Sequence, residues 1–531
     1  MITKALNLCG GDARWAAVIL SCLLASGCSS CDGDMSANNE GGLDGSSTTQ
    51  DGGTVNNPNP DAGETHGDAG VIIPVTGDGA CAWEVGARPT ATLPPMHTNE
   101  YTLELDRWMI DNNQGDPVET RQRMNEAIAW AVENGHDKVI VPPGHYVVGE
   151  LTNDIYSAGI QLPGNMTLEL SDGAVLEMMP NDRHNYCVIS TDGNDDITIR
   201  GGEIHGDRAN HDYSGGSNDE GHGICVWTSS NRILIEDTEL HELTGDGVLI
   251  VGSAPKDDDP NAEVPSTNVT IRNNKIHHNR RQGVSVVGGH NIVIENNHIH
   301  HISGTSPQFG VDIEGAGRTD KDILIYRNNF HDNWGGDYVS SSGHNVWLEE
   351  NTMTQCQVNE AGNYDASLPC DISPDWAGQT DGPIVLWQNA DTVVLNNVIR
   401  MTTRSSNGLW GVINYPRVRE AVRDNPVGNY IAGNTFYGSG IHGAWNQKQF
   451  IAKNTINDGY MLLTLLGCTR LEDNLINGSG HRYRIRNVAG LAEGNLQNSN
   501  VDEGFPATSI SERHFPMSDD SPYRNSSPVF W

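Results

Sequence analysis

The sequence predicts an all-β solenoid, a coil of short parallel strands stacked turn on turn. Three observations carry that expectation. One pattern occurs twice in succession between Thr267 and Gly317: Asn273-Asn274 returns as Asn296-Asn297 after 23 residues, and Gly283-Val284-Ser285-Val286 returns as Gly310-Val311-Asp312-Ile313. Within each short run the apolar residues alternate, which marks a strand, and a fixed spacing in the twenties marks units that bury their apolar faces only against one another. Asparagines recur at equivalent places, at Asn274, Asn297, Asn329, Asn351, Asn397, Asn434, Asn454 and Asn474. Their side chains can hydrogen-bond along the stack, and they tolerate the left-handed backbone of a tight turn. Walking the pattern outward through Ile197, Ile233, Ile323, Val346, Val393, Ile451 and Leu471 gives roughly ten turns.

The elements follow in order. Lys4 and Arg14 precede the apolar run Trp15 to Leu24 and the small residues Ala25-Ser26-Gly27, so residues 1–27 read as a signal peptide. Cys28 directly after them resembles the lipidated cysteine of bacterial lipoproteins, which implies a secreted protein anchored by lipid at the outer membrane or cell surface. Residues 28–95, rich in Gly, Asp, Ser, Asn and Pro, are expected to be an acidic disordered tether. Residues 96–150 read as an N-terminal cap. Within it, Asp116-Pro117-Val118-Glu119 opens a helix with an N-cap Asp, a first-position Pro and a capping-box Glu; Met124, Ala127, Ile128 and Ala131 form its apolar face, and Asn134-Gly135 ends it. Residues 151–490 hold the repeat, and residues 491–531, where it is lost, read as a C-terminal cap. Three polar insertions, Gly206 to Gly221, Ser303 to Phe309 and Gln355 to Thr380, are expected to wall one side of the coil.

Together with Val139-Ile140-Val141-Pro142-Pro143-Gly144-His145-Tyr146 and Ile160-Gln161-Leu162-Pro163-Gly164-Asn165-Met166-Thr167-Leu168, the repeat resembles the pectin-lyase-like superfamily over about Asp106 to Gly490. The resemblance implies a right-handed parallel β-helix whose N-terminal end is plugged by the helix. It implies a function drawn from polysaccharide lyases, uronate epimerases, glycoside hydrolases and non-enzymatic adhesins or tail spikes.

A formal net charge of −37 disfavours nucleic acid, whose phosphates need basic clusters. No apolar run beyond the leader reaches membrane-spanning length, so lipid is the only membrane contact expected, and the chain is expected to be a monomer. Arg272, Lys275, Arg280, Arg281, Arg318 and Lys321 concentrate positive charge on neighbouring turns, where an acidic polysaccharide would bind. Cys356 and Cys370 bracket one polar loop and are expected to form a disulfide; Cys187 and Cys225 fall on successive turns, which permits a second.

The candidate chemistry centres on Asp312 and Glu314. Val311 and Ile313 take inward positions, so the two acids point outward together, with Cα atoms roughly 6.5 to 7 Å apart. Such a pair serves as acid and base of an inverting glycosidase or as oxygen ligands for Ca²⁺. It also resembles the paired acids of iota-carrageenases. Arg281, Tyr338 and His278 are placed beside it, Arg281 as charge neutraliser and Tyr338 or a histidine, His278 foremost, as base or acid. Arg208, His211, Tyr213, Arg280, Asp337 and Trp387 are the expected substrate contacts. Mannuronan C5-epimerases carry an aromatic, an Asp and a His at such strand positions, where this chain has Phe309, Asp312 and Glu314. The histidines His205, His241, His277, His300 and His331 each follow an inward residue and read as a ladder of turn residues. The leading expectation is a lyase cleaving a uronate polysaccharide by β-elimination. An inverting hydrolase and a non-catalytic glycan-binding coil are the alternatives.

Overall fold

The computed structural model describes residues 74–75, 83–149, 158–216, 218–253, 264–315, 318–359, 362–368, 382–386, 391–401, 410–414, 428–447, 449–459, 461–467, 470–477, 483–487, 497–498 and 501–502. The signal peptide, Cys28, the tether up to residue 73, Cys370, Trp387 and the segment after residue 502 lie outside them.

Among the described residues, successive turns of the chain add strands to three parallel sheets of 14, 13 and 12 strands. Sheet 1 runs from Glu100–Thr102 to Gln497–Asn498, sheet 2 from Gly144–Val148 to Val501–Asp502, and sheet 3 from Ala158–Gln161 to Tyr483–Asn487. The coil is longer than the repeat suggests. Its first strands, within residues 96–150, and its last ones lack the Asn and Gly-Val signature, so the pattern ends before the architecture does.

Register keeps like residues above like. In sheet 3, Ile189, Ile224, Val248, Val284, Val311, Tyr338 and Ile384 stack in one inward column, each fully buried. Sheet 2 contributes Ile204, Leu240, Ile276, Ile299, Phe330 and Met353. Burying each such side chain stabilises the coil by roughly 1.5–3 kcal/mol, and the contacts are made to the coils on either side.

The asparagine ladder is present with one substitution: Asn328, not Asn329, is the third rung. From Asn274 through Asn297, Asn328, Asn351, Asn397, Asn434 and Asn454 to Asn474, each Nδ2 and backbone N–H donate to the next Oδ1 at 2.8–3.1 Å. The left-handed turn residue is the one before each rung: Asn273, Asn296, Arg327, Glu350, Asn396, Gly433, Lys453 and Asp473, with φ between 50° and 67°. Asn328 takes the rung because Arg327 takes the turn.

Helix α1 (Leu105–Trp108) is followed by α2 (Pro117–Glu133), which has the expected ends. Asp116 accepts from the backbone of Val118 and Glu119, and Met124, Ala127, Ile128 and Ala131 are buried. Glu119 pairs with Arg123 at 2.8 Å. The stretch expected to close the disordered tether is ordered at its end. Val85 and Ala91 pack on Leu324, Trp347 and Phe450 outside sheet 1, Arg88 binds Glu349 at 2.6 Å, and Asn345 donates to the Ala87 carbonyl.

Candidate functional site

Each of the three insertions joins a strand of sheet 2 to the next strand of sheet 3, between His205 and Glu220, between His300 and Phe309, and between Gln355 and Ile384. The outer face of sheet 3 positions the site. Along that face the strands Asp246–Val251, Gln282–Val287 and Phe309–Ile313 lie side by side. Val248, Val284 and Val311 turn inward, so Leu249, Ser285 and Asp312 form the next outward column.

Asp312 is therefore outward from the core, as expected, yet only 5% exposed. Gln282 Nε2 donates to its Oδ2 at 2.6 Å, while Gln282 Oε1 accepts from the Phe309 backbone at 2.7 Å, which fixes the amide. Burial, and then the neighbouring Glu314, push the Asp312 carboxyl well above its usual range. Arg281 joins the group: its Nη2 lies 3.0 Å from Glu314 Oε2 and its Nη1 3.0 Å from Asp246 Oδ2. Asp246 is fully buried, and burial pushes it up to about 6 against the pull of Arg281. Its backbone N–H donates to His222 Nδ1 at 3.0 Å, and burial lowers His222 far below the usual imidazole value. Burial alone would lower Arg281, but Asp246, Glu314, Asp312 and Asp219 together raise it. The group reaches solvent through Arg281 and Glu314, whose side chains are 16% and 19% exposed.

The structure thus brings together Asp312, Glu314 and Arg281, and adds Asp246, His222 and Gln282, which sequence reasoning missed. A signal existed: Asp246 precedes Gly247-Val248 as Gln282 precedes Gly283-Val284, so these two strands start with a polar residue at one level, where the third has Phe309.

Other expected residues go elsewhere. Tyr338 pairs with Val311 in register and points into the core, fully buried, with its phenol pushed upward by burial. It is a core residue, because the strand Gly336–Ser340 keeps the inward phase of its neighbours. Asp337 is 1% exposed, receives Asn333 Nδ2 at 2.9 Å and is pushed up to about 7 by burial, so it is no surface contact. His211 is buried too. Its Nδ1 faces Asp207 Oδ2 at 2.7 Å, and Asp207 also accepts from Tyr186 at 2.5 Å, so this part of the insertion is packed structure. Arg208 donates to the His278 carbonyl, Tyr213 donates to the Arg208 carbonyl at 3.1 Å, and the Arg280 guanidinium sits 4.5 Å over the Tyr213 ring. These three hold the insertion to the corner. A cleft of about 440 Å³ beside it is lined by Met179, Asn181, Asp182, Arg183, Asn210 and Asp212, with no residue of the Arg281 group among them.

Much of the expected basic patch is paired with acids. Arg272 binds Glu236 at 2.7 Å, Lys275 binds Glu239 at 2.7 Å, and Lys321 lies 3.6 Å from Asp322. Cys187 and Cys225 form a disulfide with Trp227 Nε1 donating to Cys187 Sγ. Cys356 is disulfide-bonded.

The histidines line the outer face of sheet 2. His205, His241, His277, His300 and His331 stack with ring centroids 4.5–4.9 Å apart. His278 and His301 form a second stack at 4.8 Å on left-handed turn residues. His278 therefore belongs to this wall, its Nδ1 2.7 Å from His277 Nδ1, and burial lowers both rings to about 4.

Three parallel sheets wound from successive turns, closed by an N-terminal helix, make this chain a right-handed parallel β-helix protein. Residues 153–314 and 263–415 match the family model described as right handed beta helix region. Two curated Bacillus subtilis proteins are similar: YclG, an uncharacterized protein, at 29% identity over 44% of this chain and 43% of its own, and the SPbeta prophage-derived uncharacterized protein YorA, at 29% over 47% and 46%. The chain thus spans less than half the length of these relatives. Among solved structures, the A-module of Azotobacter vinelandii mannuronan C-5 epimerase AlgE6 is 14% identical with a TM-score of 0.45, covering 77% of this chain and 100% of its own. The Streptococcus pneumoniae surface adhesin PfbA is 15% identical with a TM-score of 0.44, at 72% and 100%. A Thermotoga maritima exopolygalacturonase is 13% identical with a TM-score of 0.38, at 73% and 94%.

Proposed function

We propose that the protein cleaves glycosidic bonds of a polysaccharide with water, using the carboxyls gathered around Arg281. The observation that carries this reading is the division of labour between Asp312 and Glu314. Asp312 is buried, hydrogen-bonded by Gln282 and biased toward its protonated form; Glu314 is ion-paired to Arg281 at the solvent edge. A proton donor beside a carboxylate on one strand is the arrangement glycoside hydrolysis uses, and a separation of roughly 6.5–9.5 Å leaves room for water and inverts the anomeric centre. Asp312 protonates the leaving oxygen, Glu314 takes a proton from the attacking water, and Arg281 holds Glu314 in place.

β-Elimination from a uronate needs a cation to neutralise the sugar carboxylate. In this group Arg281 already lies between Asp246 and Glu314, with Asp312 and Asp219 close by, so the local charge disfavours an acidic sugar. Neutral stretches of glycan suit the site better. The same oxygens suit calcium. Turnover that survives a chelator assigns the carboxylate-holding role to Arg281, and turnover that is lost assigns it to a bound ion. Asp312→Asn is the direct test. The expected result is loss of reducing-end release with an unchanged circular dichroism spectrum, and undiminished turnover would overturn the assignment.

A further inference from the structure

The histidine wall contains one place built differently from a stack. His298 and His300 lie on the strand His298–His300, and His331 ends the strand Asn329–His331 of the next coil, in register with His300. His298 Nε2 and His331 Nε2 face each other at 2.7 Å. His331 Nδ1 is occupied, donating to Asp332 Oδ2 at 2.8 Å. That bond makes Nε2 the lone-pair nitrogen, the carboxylate–histidine arrangement that orients metal ligands. His300 turns its Nδ1 to His301 Nδ1 at 2.8 Å, while its Nε2 is buried without a hydrogen-bond partner on a side chain only 8% exposed.

A buried nitrogen with no partner is costly, and a facing pair of imidazole nitrogens beside it is a donor set awaiting an acceptor of lone pairs. One ligand atom each from His298, His300 and His331 lie within 4.8 Å of one another. Zinc at 2.0–2.1 Å from each nitrogen spaces tetrahedral ligands about 3.3 Å apart, which small ring rotations supply. His298 is the more open of the three and gives the ion a way in and a fourth position to solvent. We infer that His298, His300 and His331 bind one divalent transition metal of the zinc type, oriented by Asp332, clamping two successive coils of sheet 2. Nitrogen-only donors select such an ion over calcium or magnesium. The neighbouring set His301, His331 and Asp332 shares His331 and spends the carboxylate as a ligand, so the two sets compete for one ion.

The test uses the untagged full chain stripped of metal, titrated with Zn²⁺ against a chromophoric chelator and with Co²⁺ followed by its visible absorption. One ion per chain at micromolar affinity or tighter, with cobalt bands of a tetrahedral nitrogen site, is expected at this place. His298→Ala and His331→Ala should each weaken binding at least ~100-fold, and Asp332→Asn about 10- to 100-fold. His241→Ala, a member of the same ring stack outside this set, should leave it unchanged. Zinc should raise the thermal midpoint of the parent chain and not that of His298→Ala, whose partly open side chain makes it the variant least prone to misfold. Absence of binding, binding indifferent to His298 and His331, or equal loss in His241→Ala overturns the inference.

Discussion

At the scale of single residues, burial decides what each acid can do. Asp312 and Asp337 lie on neighbouring coils, yet one faces the outer surface beside Arg281 and the other is buried against Asn333. Asp312→Asn keeps the shape and removes the proton, so turnover should fall by about 10²- to 10⁴-fold in a reducing-end assay. Asp337 makes a stability prediction instead. Its folded value of about 7 lies above the usual 3.8, so the folded chain holds the proton more tightly. The stabilisation is full below pH 4 and is lost as pH rises to about 7, then stays flat above, on the order of 4 kcal/mol in all. Asp337→Asn should reduce the slope of urea midpoints measured between pH 4 and 8, leaving the part due to Asp246 and Asp312; an unaltered slope would assign the whole titration to those two. The inward phase of Tyr338 was hidden in the sequence because Gly-Asp-Tyr-Val replaces the Gly-Val pattern there and shifts the apparent alternation. Asp312 and Glu314 were legible because Val311 and Ile313 fix the phase around them.

At the scale of elements, the coil is held by columns. The asparagine ladder was read correctly as a device and misplaced at one rung, since adjacent asparagines at 328 and 329 look alike until the left-handed turn at Arg327 chooses between them. Removing a buried rung strands the amides of Asn297, so Asn328→Ala should cost about 3 kcal/mol in chemical denaturation, against under about 1 kcal/mol for Asn329→Ala. Equal costs would show that the ladder carries no more than a surface turn. The disulfide between Cys187 and Cys225 closes a segment with a sequence separation of 38. Its loss in Cys225→Ser should destabilise the chain by about 4 kcal/mol if loop entropy governs, most visibly in amide exchange of the neighbouring coils. The N-terminal strap over sheet 1 escaped the sequence reading because its anchors, Val85, Arg88 and Ala91, are sparse within a polar stretch.

At the scale of the whole molecule, the architecture was the most legible part, because register repeats each apolar position many times over. The site was legible only in part. A coil brings together residues remote in sequence, such as Asp246, Arg281 and Glu314, and no spacing rule reveals which outward positions share a column until the insertions are aligned. Basic residues on the coil are committed to neighbouring coils: Arg272, Lys275 and Arg281 each bind an acid of an adjacent coil. Those cations are thereby used within the coil, which is why the proposed substrate is a neutral glycan rather than a polyanion.

The most direct measurement is to incubate the parent chain and Asp312→Asn with a panel of neutral and uronate polysaccharides, following reducing ends and ultraviolet absorbance together. The account predicts new reducing ends without absorbance, from the parent chain alone. Absorbance rising in step with reducing ends, or equal release by Asp312→Asn, would contradict it.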